Sequence, residues 1–291
     1  MAETHAGVVF FVGERAYKLK KPLDLGFVDF RTRESRLAAC RKEVALNRRI
    51  APDVYLGVAD VSDEQGRPCE HLVVMRRMPP ERRLSALVAG GQPVEGELAR
   101  LARLLADFHG SCARSKTIDG AATAEAQLGR WEANAAEMGR FVGDVLDAGA
   151  AEEVLRLARR YVAGRRACFD ARIAAGRACD GHGDLLADDI FCLDDGPRVL
   201  DCLEFDDQLR FGDVLADVAF LAMDLERLGR PDLAAAFLAG YRAASGDAWP
   251  PSLASHHVAY RAQVRSKVAC LRWAQGDAPS AGAARGLLDL C

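Results

Sequence analysis

Apolar and polar positions change rhythm several times along the chain. Residues 7–12 form a run rich in Val and Phe, Gly13-Glu14 marks a turn, and residues 15–21 alternate. A period of two places Ala16, Lys18 and Lys20 on one face of a strand, and Tyr17 and Leu19 on the other. The pair reads as a β-hairpin. Residues 33–50 shift to helical spacing, with Leu37, Cys40, Val44 and Ile50 near one stripe. Residues 54–61 and 71–75 return to strand-like runs around a Glu64-Gln65-Gly66 turn. The sheet should end at Arg76-Arg77-Met78-Pro79-Pro80, because proline cannot donate to a ladder.

From Arg82 onward the period becomes about 3.6. Leu98, Leu101, Ala102, Leu105 and Phe108 mark one helix ending at Gly110, with His109 as a packing residue on it. Residues 131–146 and 152–174 predict two more helices, the second with an arginine-rich outer face that reads as solvated. Residues 218–275 read as a helical remainder with a stop at Pro250-Pro251. The pattern predicts an α+β chain: a small antiparallel sheet lobe with one helix over residues 1–78, then a larger helical lobe over 79–291.

Composition narrows the possibilities. The chain has 291 residues, half of them apolar, and a net charge of −3. That supports a substantial core and disfavours a partner tracked through its phosphate backbone, so no nucleic acid is expected. No apolar run is long enough for a membrane span, and the first residues lack the pattern of a signal peptide. Nine cysteines without metal-ligand spacing suggest reduced thiols, hence a cytoplasmic setting without structural zinc. Ser115-Lys116-Thr117 resembles the end of a P-loop, but the glycine before the lysine is missing and the spacing is one too long.

The candidate chemistry lies in residues 182–204, HGDLLADDIFCLDDGPRVLDCLE. Two apolar runs, Ile190 to Leu193 and Val199-Leu200, flank an Asp194-Asp195-Gly196 turn, which predicts a hairpin. A hairpin brings its ends together, so Asp189 and Asp201 should meet beside the loop that carries Asp184. The order His182-Gly183-Asp184-Leu185, then Asp189, then Asp201 follows the kinase signature H-R-D-L-x-x-x-N and D-F-G with substitutions. Ala16-Tyr17-Lys18 matches its V-A-I-K strand, with Lys20 as an alternative lysine on the same face.

With His-Gly-Asp-Leu in place of His-Arg-Asp-Leu, the segment resembles the aminoglycoside phosphotransferase family of kinase-like small-molecule kinases. Longer strings resemble one subgroup: Glu3-Thr4-His5, YKLKKP at 17–22, DLGFVDF at 24–30 and APDVYL at 51–56. In that subgroup a P-loop domain often follows, and here the sequence stops before one. The resemblance implies a bilobal protein-kinase-like fold and transfer of the γ-phosphoryl group of ATP to a hydroxyl of a small molecule, such as an amino sugar or aminoglycoside. It implies Asp184 as the group orienting and deprotonating the acceptor. Asp189 and Asp201 would bind Mg²⁺, or Mn²⁺ in its place. Lys18 would hold the phosphates, pinned by Glu43. The segment with Thr4 and His5 takes the place of a glycine-rich loop. The adenine edge would meet the backbone near Arg76, Arg77 and Met78. His182 and Asp217 would support the catalytic loop, and Glu204, Asp206 and Asp207 would form an acidic rim for a cationic acceptor.

Two positions depart from the family pattern. Asp189 stands where Asn is usual, which adds a third carboxylate. At roughly 5 Å and an effective dielectric of about 20, one such pair costs about 3 kcal/mol without a cation, so a strong metal requirement is expected. Leu186 stands where His is usual and cannot donate to a phosphate oxygen, which points to slower turnover or to a nucleotide-binding regulatory role. An unrelated metal hydrolase built on the same acids would act without ATP, and would leave Ala-x-Lys unexplained.

Overall fold

The computed structural model describes residues 2–3, 7–24 and 29–291. Thr4 and His5, and most of the 24–30 string, lie outside them. The chain groups into two compact units. The first comprises Met1–Glu97 with His182–Leu209, and the second Leu98–Gly181 with Arg210–Cys291.

The first unit is built on an antiparallel sheet ordered β1-β2-β3-β5-β4. Its strands are β1 (Ala2–Glu3), β2 (Gly7–Val12), β3 (Arg15–Lys20), β4 (Tyr55–Ser62) and β5 (Pro68–Arg76). Phe10 pairs with Tyr17 and Val9 with Lys18, as a tight turn at Gly13 requires; its φ of 54° suits glycine. Helix α1 (Arg33–Asn47) starts where the Thr32 side chain accepts from the Ser35 N–H, and ends three residues earlier than its apolar stripe suggested. Its buried face includes Cys40, Glu43, Val44 and Asn47. Helix α2 (Leu84–Ala89) follows the prolines.

The second part of this unit is the hairpin β7 (Ile190–Leu193) and β8 (Gly196–Val199), numbered after the strand β6 described below. It joins the first because Arg83 bridges Phe191, and Arg82 bonds the Cys192 carbonyl at 2.6 Å. All four residues of β7 are buried, which is why the short apolar run holds its place.

The second unit is mostly helical: α3 (Glu95–Ser111), α4 (Lys116–Ala121), α5 (Ala124–Met138), α6 (Ala148–Gly164), α7 (Arg166–Ala174), α8 (Val214–Arg227), α9 (Pro231–Ser245), α10 (Pro251–Ala274) and α11 (Ser280–Asp289). The short strands β6 (Ala178–Asp180) and β9 (Phe211–Asp213) pair within it. Helix α8 is buried from Val214 to Leu225, so it forms the axis of the unit. Sequence periodicity missed two breaks. The predicted helix 152–174 divides at Arg165, whose φ of −129° leaves helical geometry. The predicted helix 131–146 ends at Met138. The expected stop at Pro250-Pro251 is the break between α9, which ends at Ser245, and α10, where Pro251 occupies the first turn and its missing N–H costs nothing. Among the described residues no helix is long and apolar enough to cross a membrane. Six of the nine cysteines are buried as free thiols.

Candidate active site

Strand alternation decides where the two lysines go. Ala16, Lys18 and Lys20 share the face toward α1, and Glu43 meets them there with no exposed surface. One Glu43 oxygen lies 2.9 Å from Lys18 Nζ and the other 2.6 Å from Lys20 Nζ. Lys18 also reaches Asp201 Oδ1 at 2.6 Å, and Lys20 pairs with Glu204. The lysines therefore differ in surroundings. Lys20 is 2% exposed and enclosed by carboxylates, while Lys18 keeps 14% of its side chain accessible.

Burial works against the Lys18 cation, but Asp201, Glu43 and Glu204 outweigh it and hold its pKa well above the ordinary lysine value. Lys18 in turn, ahead of the cost of burial, pulls the Asp201 carboxyl down. Burial would raise Glu43, yet the two lysines bring it below the usual range. All of these groups stay charged at neutral pH.

Asp201 has a left-handed backbone, with φ of 64°, a conformation that costs a non-glycine residue roughly 1–2 kcal/mol. Its neighbours hold it. The Leu200 N–H donates to the Asp189 carbonyl at 2.9 Å and the Leu203 N–H to the His182 carbonyl at 3.1 Å. The Asp201 N–H donates to the Tyr55 hydroxyl at 3.0 Å. The Cys202 N–H donates to Asn47 Oδ1 at 2.9 Å, while Asn47 Nδ2 donates to the Glu43 carbonyl at 2.9 Å. Sequence reasoning missed Tyr55 and Asn47. Asn47 follows Glu43 by one helical turn, a spacing that could have revealed it.

Asp189 is arranged differently. Its backbone is held at both ends, by Leu186 and Leu200. Its carboxyl has no hydrogen bond or ion pair among the described residues. Burial first, then Asp201 and Asp184, push its pKa well above the aspartate range. A half-buried carboxyl facing two others suits a cation. Among the described residues no three His, Cys, Asp or Glu side chains already close into a metal cluster. Mg²⁺ commonly takes one or two carboxylates and fills the rest with phosphate oxygens and water, so Asp189 with Asp201 fits that donor set.

His182 is fully buried at the start of the loop that carries Asp184. Its Nε2 lies 3.1 Å from the Leu200 carbonyl, which can only accept, so this nitrogen carries the proton. Nδ1 is then free to accept from the Asp184 N–H at 3.4 Å. Asp184 is half-buried. In the second unit, Asp217 accepts from His109 Nε2 at 3.0 Å, and His109 Nδ1 meets the Tyr241 hydroxyl at 2.8 Å. A Cβ on Gly181 would lie 2.5 Å from Asp217 Oδ2, so this backbone approach needs glycine.

The remaining expected residues have partners of their own. Glu204 holds Lys20, and Asp207 pairs with Lys42 at 2.8 Å. Asp206 accepts from the Gln208 N–H at 2.9 Å within a local turn. None of the three stands as an unengaged acidic rim. The Arg76 N–H donates to the Val54 carbonyl and the Arg77 N–H to the Glu14 carbonyl, and the Arg77 side chain stacks on Phe11. Met78 is half-buried, and among the described residues its backbone N–H makes no hydrogen bond. The second unit also has an open cleft of about 660 Å³ beside Trp131, Tyr161 and His256, and its lining contains no carboxylate side chain.

A sheet with a paired lysine and helix glutamate, and an acid-bearing hairpin after a His-Gly-Asp loop, define a kinase-like phosphotransferase fold. The chain belongs to the phosphotransferase enzyme family, whose model matches residues 10–253. Uncharacterized proteins of Mycobacterium bovis and Mycobacterium tuberculosis are 47% identical over 279 residues, covering 96% of this chain and 56% of theirs. The chain thus spans just over half the length of these relatives. Solved structures share the fold at low identity. A choline/ethanolamine kinase family protein from Mesorhizobium loti matches with a TM-score of 0.58 at 16% identity, over 99% of this chain and 84% of that one. The GDP and kanamycin complex of APH(2")-IIia gives 0.62 at 15%, over 99% and 90%. Choline kinase LicA from Streptococcus pneumoniae gives 0.55 at 13%, over 99% and 92%.

Proposed function

We propose that this chain is a small-molecule kinase that moves the γ-phosphoryl group of a nucleoside triphosphate to a hydroxyl. The observation that carries the reading is Lys18, held between Glu43 and Asp201 with part of its side chain accessible. Such a lysine stays charged and is fixed in direction, as a phosphate ligand must be. Asp184 orients the acceptor hydroxyl and takes its proton, on a loop set by the His182 tautomer. Asp201 and Asp189 hold the divalent ion, Mg²⁺ or Mn²⁺, which when bound neutralises phosphate charge. The N–H of Met78, which has no partner among the described residues, is the donor offered to the base, ahead of Arg76 and Arg77.

The donor nucleotide is ATP in the simplest reading, with GTP as the alternative suggested by the GDP complex among the similar structures. The acceptor is a small hydroxyl compound carrying an amine, the class shared by the kanamycin and choline of those structures' names. The engaged states of Glu204, Asp206 and Asp207 weaken their case as amine ligands. A second reading is a nucleotide-binding regulatory module, favoured by Leu186 where the family has His.

The test is phosphate transfer to a panel of amino sugars, aminoglycosides, choline-like alcohols and simple alcohols, with ATP or GTP and either metal. Transfer that falls by roughly 10²–10⁴ in Asp184→Asn, with nucleotide binding kept, supports the kinase. Metal-dependent nucleotide binding without transfer to any acceptor favours the module. No nucleotide binding at all overturns both.

A further inference from the structure

Lys20 has no role in the reaction just described, yet it is the most enclosed charge on its strand. It is 2% exposed, pairs with Glu43 on one side and Glu204 on the other, and lies 5.6 Å from the Phe30 ring centre. Five groups then alternate in sign from one end to the other: Glu204, Lys20, Glu43, Lys18 and Asp201. Asp201 keeps half of its side chain in solvent, but Glu43 and Lys20 are buried, and a buried charge is costly unless compensated, so removing one partner leaves the next uncompensated.

The far end of this series sits on the segment that presents Asp201. The backbone N–H groups of residues 200 to 203 donate to the Asp189 carbonyl, the Tyr55 hydroxyl, Asn47 Oδ1 and the His182 carbonyl respectively. Glu204 is fixed by charge, through Lys20. Building on the phosphotransferase reading, we propose that Lys20 is a positioning residue and not a phosphate ligand. It clamps Glu204 against Glu43, and so closes the left-handed turn that aims Asp201. It also occupies the second oxygen of Glu43. Without it, that oxygen is buried with no counter-charge and draws Lys18 toward Glu43 and away from Asp201.

Four variants test this: Lys20→Met, Glu204→Gln, the double variant Lys20→Met/Glu204→Met, and Lys20→Arg. The first readout is amide hydrogen exchange over residues 200–204 in protein without nucleotide. The second is the Mn²⁺ concentration that half-saturates ATP binding. We expect at least tenfold faster exchange at Asp201 and Cys202, and at least a tenfold higher Mn²⁺ requirement, in Lys20→Met, Glu204→Gln and the double variant. Lys20→Arg keeps the charge and should restore both to within about threefold. The double variant regains part of the thermal stability lost in Lys20→Met, because Glu204 no longer needs a counter-charge while Glu43 still does, and it does not regain the metal response. Should the methionine variants fail to fold, Glu204→Gln, which keeps shape and hydrogen-bonding capacity, decides alone. Wild-type exchange and wild-type Mn²⁺ dependence in a folded double variant or in Glu204→Gln overturn the proposal. If the wild-type protein binds no nucleotide, the phosphotransferase reading fails, while the exchange experiment still judges the clamp.

Discussion

Replacing Asp189 by Asn removes a charge that the folded protein holds at a cost. The carboxyl is half-buried, makes no hydrogen bond or ion pair among the described residues, and faces Asp201 and Asp184. Its pKa is raised well above the aspartate range, burial being the largest cause. A carboxyl raised on folding binds its proton more tightly in the native state. Its contribution to stability is therefore greatest below the unfolded value near 3.9 and is lost as pH rises through the folded value. One carboxylate neighbour at roughly 5 Å and an effective dielectric of about 20 costs about 3 kcal/mol. Lys18 already offsets Asp201 and salt screens the rest, which leaves a net penalty of about 1–3 kcal/mol at pH 8. For a chain of this size that corresponds to roughly 3–10 °C in Tm. Thermal melts in chelator should then show Asp189→Asn more stable than wild type at pH 8 and equal to it near pH 4. Adding Mg²⁺ or Mn²⁺ should raise the wild type more than the variant, and the phosphate-transfer assay should show a weaker metal dependence with activity kept. Equal or lower stability of the variant at pH 8 in chelator would refute the charge argument. Unchanged metal dependence in both assays would remove Asp189 from the metal site.

Other substitutions test neighbouring parts. Tyr55→Phe deletes the acceptor for the Asp201 N–H; it should cost about 1 kcal/mol in urea unfolding and raise the Mg²⁺ half-saturation several-fold. An unchanged Mg²⁺ response would show that this bond does not help aim Asp201. Gly181→Ala places a methyl 2.5 Å from the Asp217 carboxylate, which His109 prevents from retreating. A loss of about 1–3 kcal/mol by denaturant melt is expected, and a neutral result would mean that the loop shifts freely. Leu186→His restores the residue usual in the family and should raise kcat with little change in nucleotide KM. No change, or a fall, would show that turnover is limited elsewhere.

Much of the sheet and the hairpin was legible in the sequence because both rest on local rules. Alternation from Arg15 to Lys20 fixed which side chains share a face, and the Asp194-Asp195-Gly196 turn fixed the register that brings Ile190 opposite Val199. Helix boundaries were less legible. The break at Arg165 interrupts an apolar stripe that continues on both sides, so periodicity alone cannot see it. The supports of Asp201 were least legible. Tyr55 and Asn47 lie 146 and 155 residues away from their partners in sequence. Each reads locally as an ordinary strand aromatic or a polar residue near a helix end. Glu204 shows a different limit: acidic sequence beside Asp201 suggests a rim, and a buried lysine two strand positions beyond Lys18 pairs with it.

The central claim is that Lys18 and Asp201 converge on one triphosphate through a divalent ion. Calorimetric titration of the wild-type protein, Lys18→Met and Asp201→Asn with a non-hydrolysable ATP analogue, in Mn²⁺ and in chelator, tests it most directly. The account predicts binding that needs Mn²⁺ and weakens at least tenfold, about 1.4 kcal/mol, in either variant. Binding of equal strength in chelator, or in Asp201→Asn with Mn²⁺ present, would contradict it.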